Sequence, residues 1–142
     1  MKKEVLSVKK FKINDIAEEI EQVSSDWNSF FNTKTGEFEH YSSMFGDEED
    51  DPEKYEGEEY ISLPSQYDIH EYQIMSDFAD FVTDKHKQEL LYVSLEGKGA
   101  FRRFKDTLIR TGLQEEWYAF KREAFIEIAK EWCENNNISY QN

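Results

Sequence analysis

A basic segment with interleaved phenylalanines is the part of this chain best suited to hold an anion. Between residues 97 and 110, five Lys or Arg residues stand against one Asp, whereas the whole chain carries 17 Lys and Arg against 31 Asp and Glu. Two glycines precede a predicted helix start, where unpaired N–H groups and the positive end of the helix dipole attract anions. The cations that follow make the contacts that phosphate and carboxylate groups accept. The candidate binding residues are Lys98, Arg102, Arg103, Lys105, Arg110 and, from the next helix, Tyr118.

A second interpretation of the same segment needs no ligand. Gly97 and Gly99 then form a tight turn between two helices, and the arginines pair with carboxylates of neighbouring helices. The segment is neither a Walker loop nor a dinucleotide-binding loop, because it lacks the glycine spacing of both motifs. The sequence therefore leaves open a binding surface and an internal ion-pair network.

An acidic run at residues 47–59 is the second candidate surface. It holds nine acids and one lysine, and we interpret it as exposed, with a flexible acidic loop at 46–57. As a calcium-binding loop it fails, because the position that requires glycine is Pro52. The alternative function that it suggests is an acidic adaptor or nucleic-acid mimic that engages a basic protein through residues 47–59.

Catalysis and metal binding find little support in the residue spacing. Asp77 and Asp80 lie one helical turn apart and suggest a third hypothesis, an enzyme that uses clustered carboxylates. His70-Glu71 begins like a zinc-protease motif, but Ile74 occupies the position of the second histidine. The sequence contains no nucleophile motif. It therefore predicts no catalytic residue, no metal site and no cofactor.

Size and charge limit the class of protein. The 142 residues predict a single domain over residues 1–142. A net charge of -14 repels phosphate backbones and disfavours bulk nucleic-acid binding. The chain has no apolar run long enough to span a membrane, and its one cysteine, Cys133, is expected to be buried. We therefore expect a cytoplasmic location and a partner that is a protein or a phosphate-bearing ligand, with no membrane involved.

Hydrophobic periodicity predicts the elements in the first half of the chain. Helical spacing indicates a helix over about 15–23, capped by Asn14 or Asp15. Alternating residues around Gly36 predict a β-hairpin with strands at 27–32 and 37–41. A third strand is expected at 58–64. These strands are enough for a small antiparallel sheet.

From Ser65 onward the spacing is helical. One apolar stripe runs from Ile69 to Val82, and a short helix over 84–95 carries Leu90, Leu91, Val93 and Leu95. The basic helix places Phe101, Phe104 and Leu108 on its buried side and ends at Gly112. A final helix over 113–135 buries Trp117 and leaves Tyr118 partly exposed. The sequence thus predicts an α+β fold, in which a small three-stranded antiparallel sheet packs against a mainly helical C-terminal two-thirds.

Two long segments resemble motifs of the UPF0158 family of bacterial proteins. They are LPSQYDIHEYQIM at residues 63–75 and GKGAFRRFKDTL at residues 97–108. The resemblance continues through shorter matches as far as Glu131-Trp132-Cys133, and it extends from about residue 12 to residue 138. It implies a small bacterial domain and no activity, and it supplies no site residues. Our first functional hypothesis is a non-catalytic bacterial interaction module that binds an anionic partner through the basic helix at 98–110.

Overall fold

The computed structural model has the predicted α+β architecture. It describes residues 10–23, 27–42 and 52–142, which fall into two compact units. The sheet unit lies within Met1–Ile69 and Phe125–Asn142, and the helical unit is His70–Ala124. The mainly helical C-terminal part is confirmed. A single domain over residues 1–142 stays a prediction.

The sheet unit contains the predicted hairpin and third strand. Strands β2 (Asn28–Asn32) and β3 (Phe38–Tyr41) are antiparallel, and β4 (Tyr60–Ser62) pairs antiparallel with the other edge of β2. The strand order is therefore β3-β2-β4. Gly36 has a φ of 78° in the hairpin turn, the left-handed conformation that glycine adopts without a steric penalty.

One face of this sheet forms the core of the sheet unit. Phe31 is 1% exposed, and its ring lies 4.9 Å from Phe11, 5.0 Å from Phe38 and 5.8 Å from Trp132 between centroids. The indole Nε1 of Trp132 donates to the backbone oxygen of Ser62 at 2.9 Å. The sheet therefore packs on the C-terminal part of the last helix, α6 (Gln114–Asn135).

The opposite face of the sheet is covered by the end of the acidic run. Residues Pro52–Glu56 form a 3-10 helix, and the Tyr55 ring stacks on Phe30 with centroids 4.3 Å apart. Lys54 Nζ lies 2.7 Å from Glu39 Oε1, and this hydrogen bond lowers the pKa of Glu39. The rest of the predicted acidic loop, residues 46–51, lies outside the described residues. Where the chain is described, this run thus contributes an aromatic contact as well as charge.

The N-terminal helix and the chain end complete the sheet unit. Helix α1 (Ile13–Glu21) buries Ile13, Ile16, Ala17 and Ile20. Its start was predicted wrongly, because Lys12 occupies the N-cap position and no side chain caps the helix. Strand β1 (Phe11–Lys12) pairs in parallel with β5 (Tyr140–Gln141), a pairing of two-residue strands that the periodicity did not predict.

The apolar stripe predicted as one helix forms two helices, which are separated at His70. Helix α2 (Gln66–Ile69) belongs to the sheet unit, and α3 (Glu71–Phe81) opens the helical unit. His70 has a φ of 56°, and no continuous helix passes through a left-handed residue. Ser65 caps α2, because its Oγ accepts from the backbone N–H of Asp68 at 3.2 Å.

The helical unit is built around three aromatic rings. It contains α3, α4 (Lys85–Ser94), α5 (Ala100–Thr111) and the first part of α6. The rings of Phe78, Phe104 and Trp117 lie 5.0–6.3 Å apart between centroids, the range in which edge-to-face aromatic pairs are favourable. Leu91 of α4 is completely buried. No helix in the three described stretches has the length and apolarity to cross a lipid bilayer.

Candidate functional site

The turn between α4 and α5 is built on two glycines in the left-handed conformation. Gly97 has a φ of 71° and Gly99 a φ of 78°, and α5 begins directly afterwards at Ala100. A Cβ atom on Gly99 would also lie 3.2 Å from the Nη1 atom of Arg103. The backbone conformation at position 99 therefore favours glycine, and a Cβ atom there would require only a small shift of the Arg103 side chain.

Arg103 holds this turn together through main-chain carbonyl groups. Its Nε donates to the backbone oxygen of Ser94 at 3.2 Å, and its two Nη atoms donate to the backbone oxygens of Lys98 and Glu96. These acceptors are the last carbonyl of α4 and two carbonyls of the turn, which have no partner inside a helix. Arg103 thus caps the C-terminus of α4, where a positive charge also complements the helix dipole.

A second side chain completes the cap. The Tyr72 hydroxyl of α3 donates to the backbone oxygen of Leu95 at 2.8 Å. Tyr72 lies within the stripe predicted from Ile69 to Val82, but its side chain is 47% exposed and its polar end carries the interaction. Side chains from α3 and α5 therefore fix the carbonyl groups that follow α4, so the basic helix starts from a well-determined position.

Three of the predicted cations have no internal partner. Lys98, Arg102 and Lys105 are exposed, and within the described part of the chain none of their side chains forms a hydrogen bond or an ion pair. Arg102 and Lys105 are three residues apart and are neighbours on the surface of α5. These three side chains are available to an external anion.

Arg110 is also exposed, and its Nη2 donates to Thr107 Oγ1 at 3.2 Å. No cation of the basic helix pairs with a carboxylate in residues 10–23, 27–42 or 52–142. The internal ion-pair network that the sequence left open is therefore not what these residues form. Arg103 is satisfied by carbonyl oxygens instead of acidic side chains.

The remaining candidate, Tyr118, lies on α6 next to the buried Trp117. Its side chain is 56% exposed, as the helical spacing predicted. Its hydroxyl has no hydrogen-bond partner among the residues that the structure describes. Tyr118 belongs to the same helical unit as the cations.

The sequence missed a groove between α4 and α5. This depression has a volume of about 600 Å³ and is lined by Leu90, Val93, Ser94, Arg103, Asp106, Thr107, Ile109 and Arg110. Leu90 and Val93, which the sequence assigned to the helix over 84–95, are 38% and 54% exposed. Their spacing was the available signal, because both lie off the stripe that Leu91 and Leu95 form at i and i+4.

Phe101 was also predicted on the buried side of the basic helix and is 46% exposed. Phe104 and Leu108, at 0% and 2% exposed, carry the core contact of α5. Phe101 lies in the first turn of α5, one turn before Phe104. The surface around the free cations therefore has apolar as well as basic character.

The two carboxylates of the third hypothesis, Asp77 and Asp80, accept hydrogen bonds from different side chains. Asp77 Oδ1 accepts from Gln73 Nε2 at 2.8 Å, and Asp80 Oδ1 accepts from the Tyr92 hydroxyl at 2.6 Å. The hydrogen bond to Asp80 raises the pKa of Tyr92. Each carboxylate thus has its own neutral partner. The described residues contain no group of three His, Cys, Asp or Glu side chains placed to hold a metal ion.

Comparison with known proteins identifies the family. The model described as "Uncharacterised protein family (UPF0158)" matches residues 42–142, which include both segments that carried the resemblance. A UPF0158 protein of Pseudomonas aeruginosa is 32% identical over 66 residues, 46% of this chain and 43% of that relative. The match thus spans less than half of the relative's length. No solved structure matches the chain. The chain belongs to the UPF0158 family.

Proposed function

We propose that this protein is a non-catalytic bacterial interaction module that binds an anionic partner in the cytoplasm through the basic surface of α5. The binding groups are Lys98, Arg102 and Lys105, with Arg110 at the far end of the helix. One observation carries the proposal: the side chains of the three cations are exposed and have no partner among the described residues, in a chain of net charge -14. Cys133, the one cysteine, is buried, which fits a reducing compartment.

The argument depends on how easily cations find partners in an acidic protein. With 31 Asp and Glu in the chain, an exposed lysine or arginine has many carboxylates available. Lys54, Lys121 and Lys130 each lie within 4 Å of one, at 2.7, 3.3 and 3.7 Å. The cations of α5 do not, and unlike Lys85 and Arg122, which also lack a partner among the described residues, they stand together on one helix. An anionic partner is the interaction that this arrangement leaves available.

The energetic scale for such a partner is modest. Each exposed charge pair contributes up to about 1 kcal/mol, so two pairs change a dissociation constant by roughly thirtyfold at most. The rest of the chain repels an anion at long range, but the Debye length of about 8 Å at physiological salt screens that repulsion. Local contact with α5 therefore decides whether an anion binds.

Affinity capture from a bacterial lysate tests the proposal. The baits are the wild type, an Arg102→Ala, Lys105→Ala variant and a control, Lys85→Ala, Arg122→Ala. The control removes the same charge from exposed cations of the helical unit that also lack a partner among the described residues. Capture is carried out at about 50 mM and about 200 mM salt, since ionic contacts weaken over this range.

We expect the α5 variant to lose its anionic partner and the control to retain it. If all three baits recover the same proteins and nucleic acids, the basic surface is not the binding site. A fourth bait, with the acids at positions 47–53 neutralised, examines the alternative function as an acidic adaptor or mimic. Loss of partners in that bait alone would replace our proposal by the alternative.

A further inference from the structure

The groove between α4 and α5 presents apolar side chains beside the free cations. Leu90 and Val93 line it from α4 and Ile109 lines it from α5. Their side chains are 38%, 54% and 60% exposed. The core contacts of these helices come from other residues, such as Leu91 of α4 and Leu108 of α5 at 0% and 2% exposed. A cluster of exposed aliphatic residues around a concavity is typical of a protein interaction site.

The charges around the groove are unevenly distributed. On the α5 side, Arg110 lines the groove, and Lys105 precedes Ile109 by four residues on the same helix face. Arg102 lies two turns before Ile109. The single acid on this side is Asp106. A ligand that fills the groove therefore meets apolar side chains at its centre and an excess of positive charge along α5.

The groove is also held in shape before any ligand binds. Arg103, one of its lining residues, is hydrogen-bonded to the carbonyl groups at the end of α4, and Arg110 donates to the Thr107 side chain at its wall. Preorganisation of this kind reduces the entropy that a partner loses on binding. A groove fixed between two helices suits a rigid, rod-like ligand.

We propose that this groove binds an amphipathic helix of a partner protein, with an apolar stripe on the groove and acidic side chains along the edge that faces α5. This inference rests on the proposed function and names the class of its partner. Helix α5 has 12 residues and is about 18 Å long. It accommodates three turns of a ligand helix, whose apolar anchors recur at i, i+3 or i+4, and i+7.

Charge complementarity distinguishes this ligand from others. Nucleic acid would use the cations but leave the aliphatic side chains of the groove without contacts. A purely apolar helix would fill the groove but leave the α5 cations unpaired. An acidic amphipathic helix uses both sets of residues, which is why we select it.

The test is selection from a displayed library of random peptides of about 14 residues, which extend over roughly 20 Å when helical. The full chain serves as bait. We expect the enriched peptides to carry apolar residues at helical spacing with Asp or Glu on one flank. Enrichment of peptides without this pattern, or failure to enrich any peptide, overturns the inference.

Two matched pairs of substitutions then locate the binding of an enriched peptide. Val93→Gln, Ile109→Gln removes two exposed apolar side chains without changing charge, and Arg102→Ala, Lys105→Ala removes two cations. We expect about tenfold weaker binding for either pair, measured by fluorescence anisotropy. The control Lys85→Ala, Arg122→Ala should bind as the wild type does.

The outcomes separate this inference from the function on which it rests. If only the charge pair weakens binding, an anionic partner remains and the groove is not its site. If only the groove pair weakens binding, the site is apolar and the proposed function fails. The remaining possible occupant is a second copy of this chain, and analytical sedimentation of the free protein detects it. Self-association that the Val93→Gln, Ile109→Gln pair abolishes would show that another molecule of this chain, and not a partner helix, occupies the groove.

Discussion

Replacing Arg103 by alanine should destabilise the helical unit, whereas replacing its neighbour Arg102 should not. Arg103 donates three hydrogen bonds to the carbonyls of Ser94, Glu96 and Lys98. Arg102 is exposed and has no partner in the described residues. The two positions differ by one residue in the chain and by about 100° around α5, so the pair of variants isolates the cap from general loss of charge.

The expected loss follows from the burial of the acceptors. Ser94 is 5% exposed, so its carbonyl loses a charged donor without full access to water, at a cost of about 1.5–2 kcal/mol. The carbonyls of Glu96 and Lys98 belong to exposed residues, and water replaces the guanidinium there at a few tenths of a kcal/mol each. The free energy of unfolding should therefore fall by about 2 kcal/mol, or roughly 6–8 °C in Tm for a chain of this size.

Thermal unfolding followed by circular dichroism measures this difference, and amide hydrogen exchange assigns it to the segment between α4 and α5. Arg103→Lys should lie between the wild type and Arg103→Ala, because an ammonium keeps the charge but lacks the planar fork that reaches several carbonyls. Equal melting temperatures for Arg102→Ala and Arg103→Ala would refute the capping role of Arg103.

Three further predictions concern single residues. Gly99→Ala should lower the free energy of unfolding by about 1–2 kcal/mol through the left-handed φ alone. Urea denaturation should show most of the same loss when Gly99→Ala is made in an Arg103→Ala background. Burial raises the pKa of Cys133 to about 11, so a disulfide reagent such as dithionitrobenzoate should react at pH 8 with the unfolded chain and not with the native one; rapid native labelling would contradict its burial. Hydrogen bonds from the backbone N–H groups of Lys87 and His86 lower the pKa of Asp84, the N-cap of α4. The stability that these bonds give is present above the ordinary aspartate pKa and is lost as the pH falls through the lower native pKa. When the free energy of unfolding is plotted against pH, the wild type should therefore lose more stability in acid than Asp84→Asn does, and the two plots should be parallel near neutral pH.

The elements were predictable where one local pattern determines them. The hairpin around Gly36 and the end of the basic helix at Gly112 follow from backbone conformations that glycine adopts readily, with φ values of 78° and 72°. The break at His70 was not predictable in this way, because a non-glycine residue there has a φ of 56°. The parallel pairing of Phe11 with Tyr140 joins the two ends of the chain and leaves no local signal.

The apolar side chains of the site were predicted less well than its cations. Helical spacing shows which residues share a face, but it does not show whether a neighbouring element covers that face. Phe104 and Phe101 lie one turn apart on α5, and they are 0% and 46% exposed. Leu91 and Leu90 are adjacent on α4 and differ in the same way. Coverage is a property of tertiary packing, and the groove could be recognised only once α4 and α5 were placed beside each other.

The partner of Arg103 was hidden from the sequence for a different reason. An arginine in an acidic chain suggests carboxylate partners, but main-chain carbonyls are present at every residue and have no sequence signature. The acceptors at Ser94, Glu96 and Lys98 become visible only with the turn that the two glycines produce. Gly97, Gly99 and Arg103 are thus one structural device, in which the glycines expose the carbonyls and the arginine binds them.

Because Arg103 caps α4 whereas Arg102 is a free surface cation, a binding experiment on the basic segment must treat the two residues separately. Arg102 and Arg103 form the most basic pair in the sequence, and replacing both would remove a free cation together with the cap of α4. Loss of binding in that double variant would follow equally from a lost contact or from a displaced helix. Arg102 and Lys105 are the informative pair, because neither side chain forms a hydrogen bond or an ion pair within the described residues. A loss of binding confined to this pair therefore reports on the surface itself, and Arg103→Ala reports on the turn that positions it.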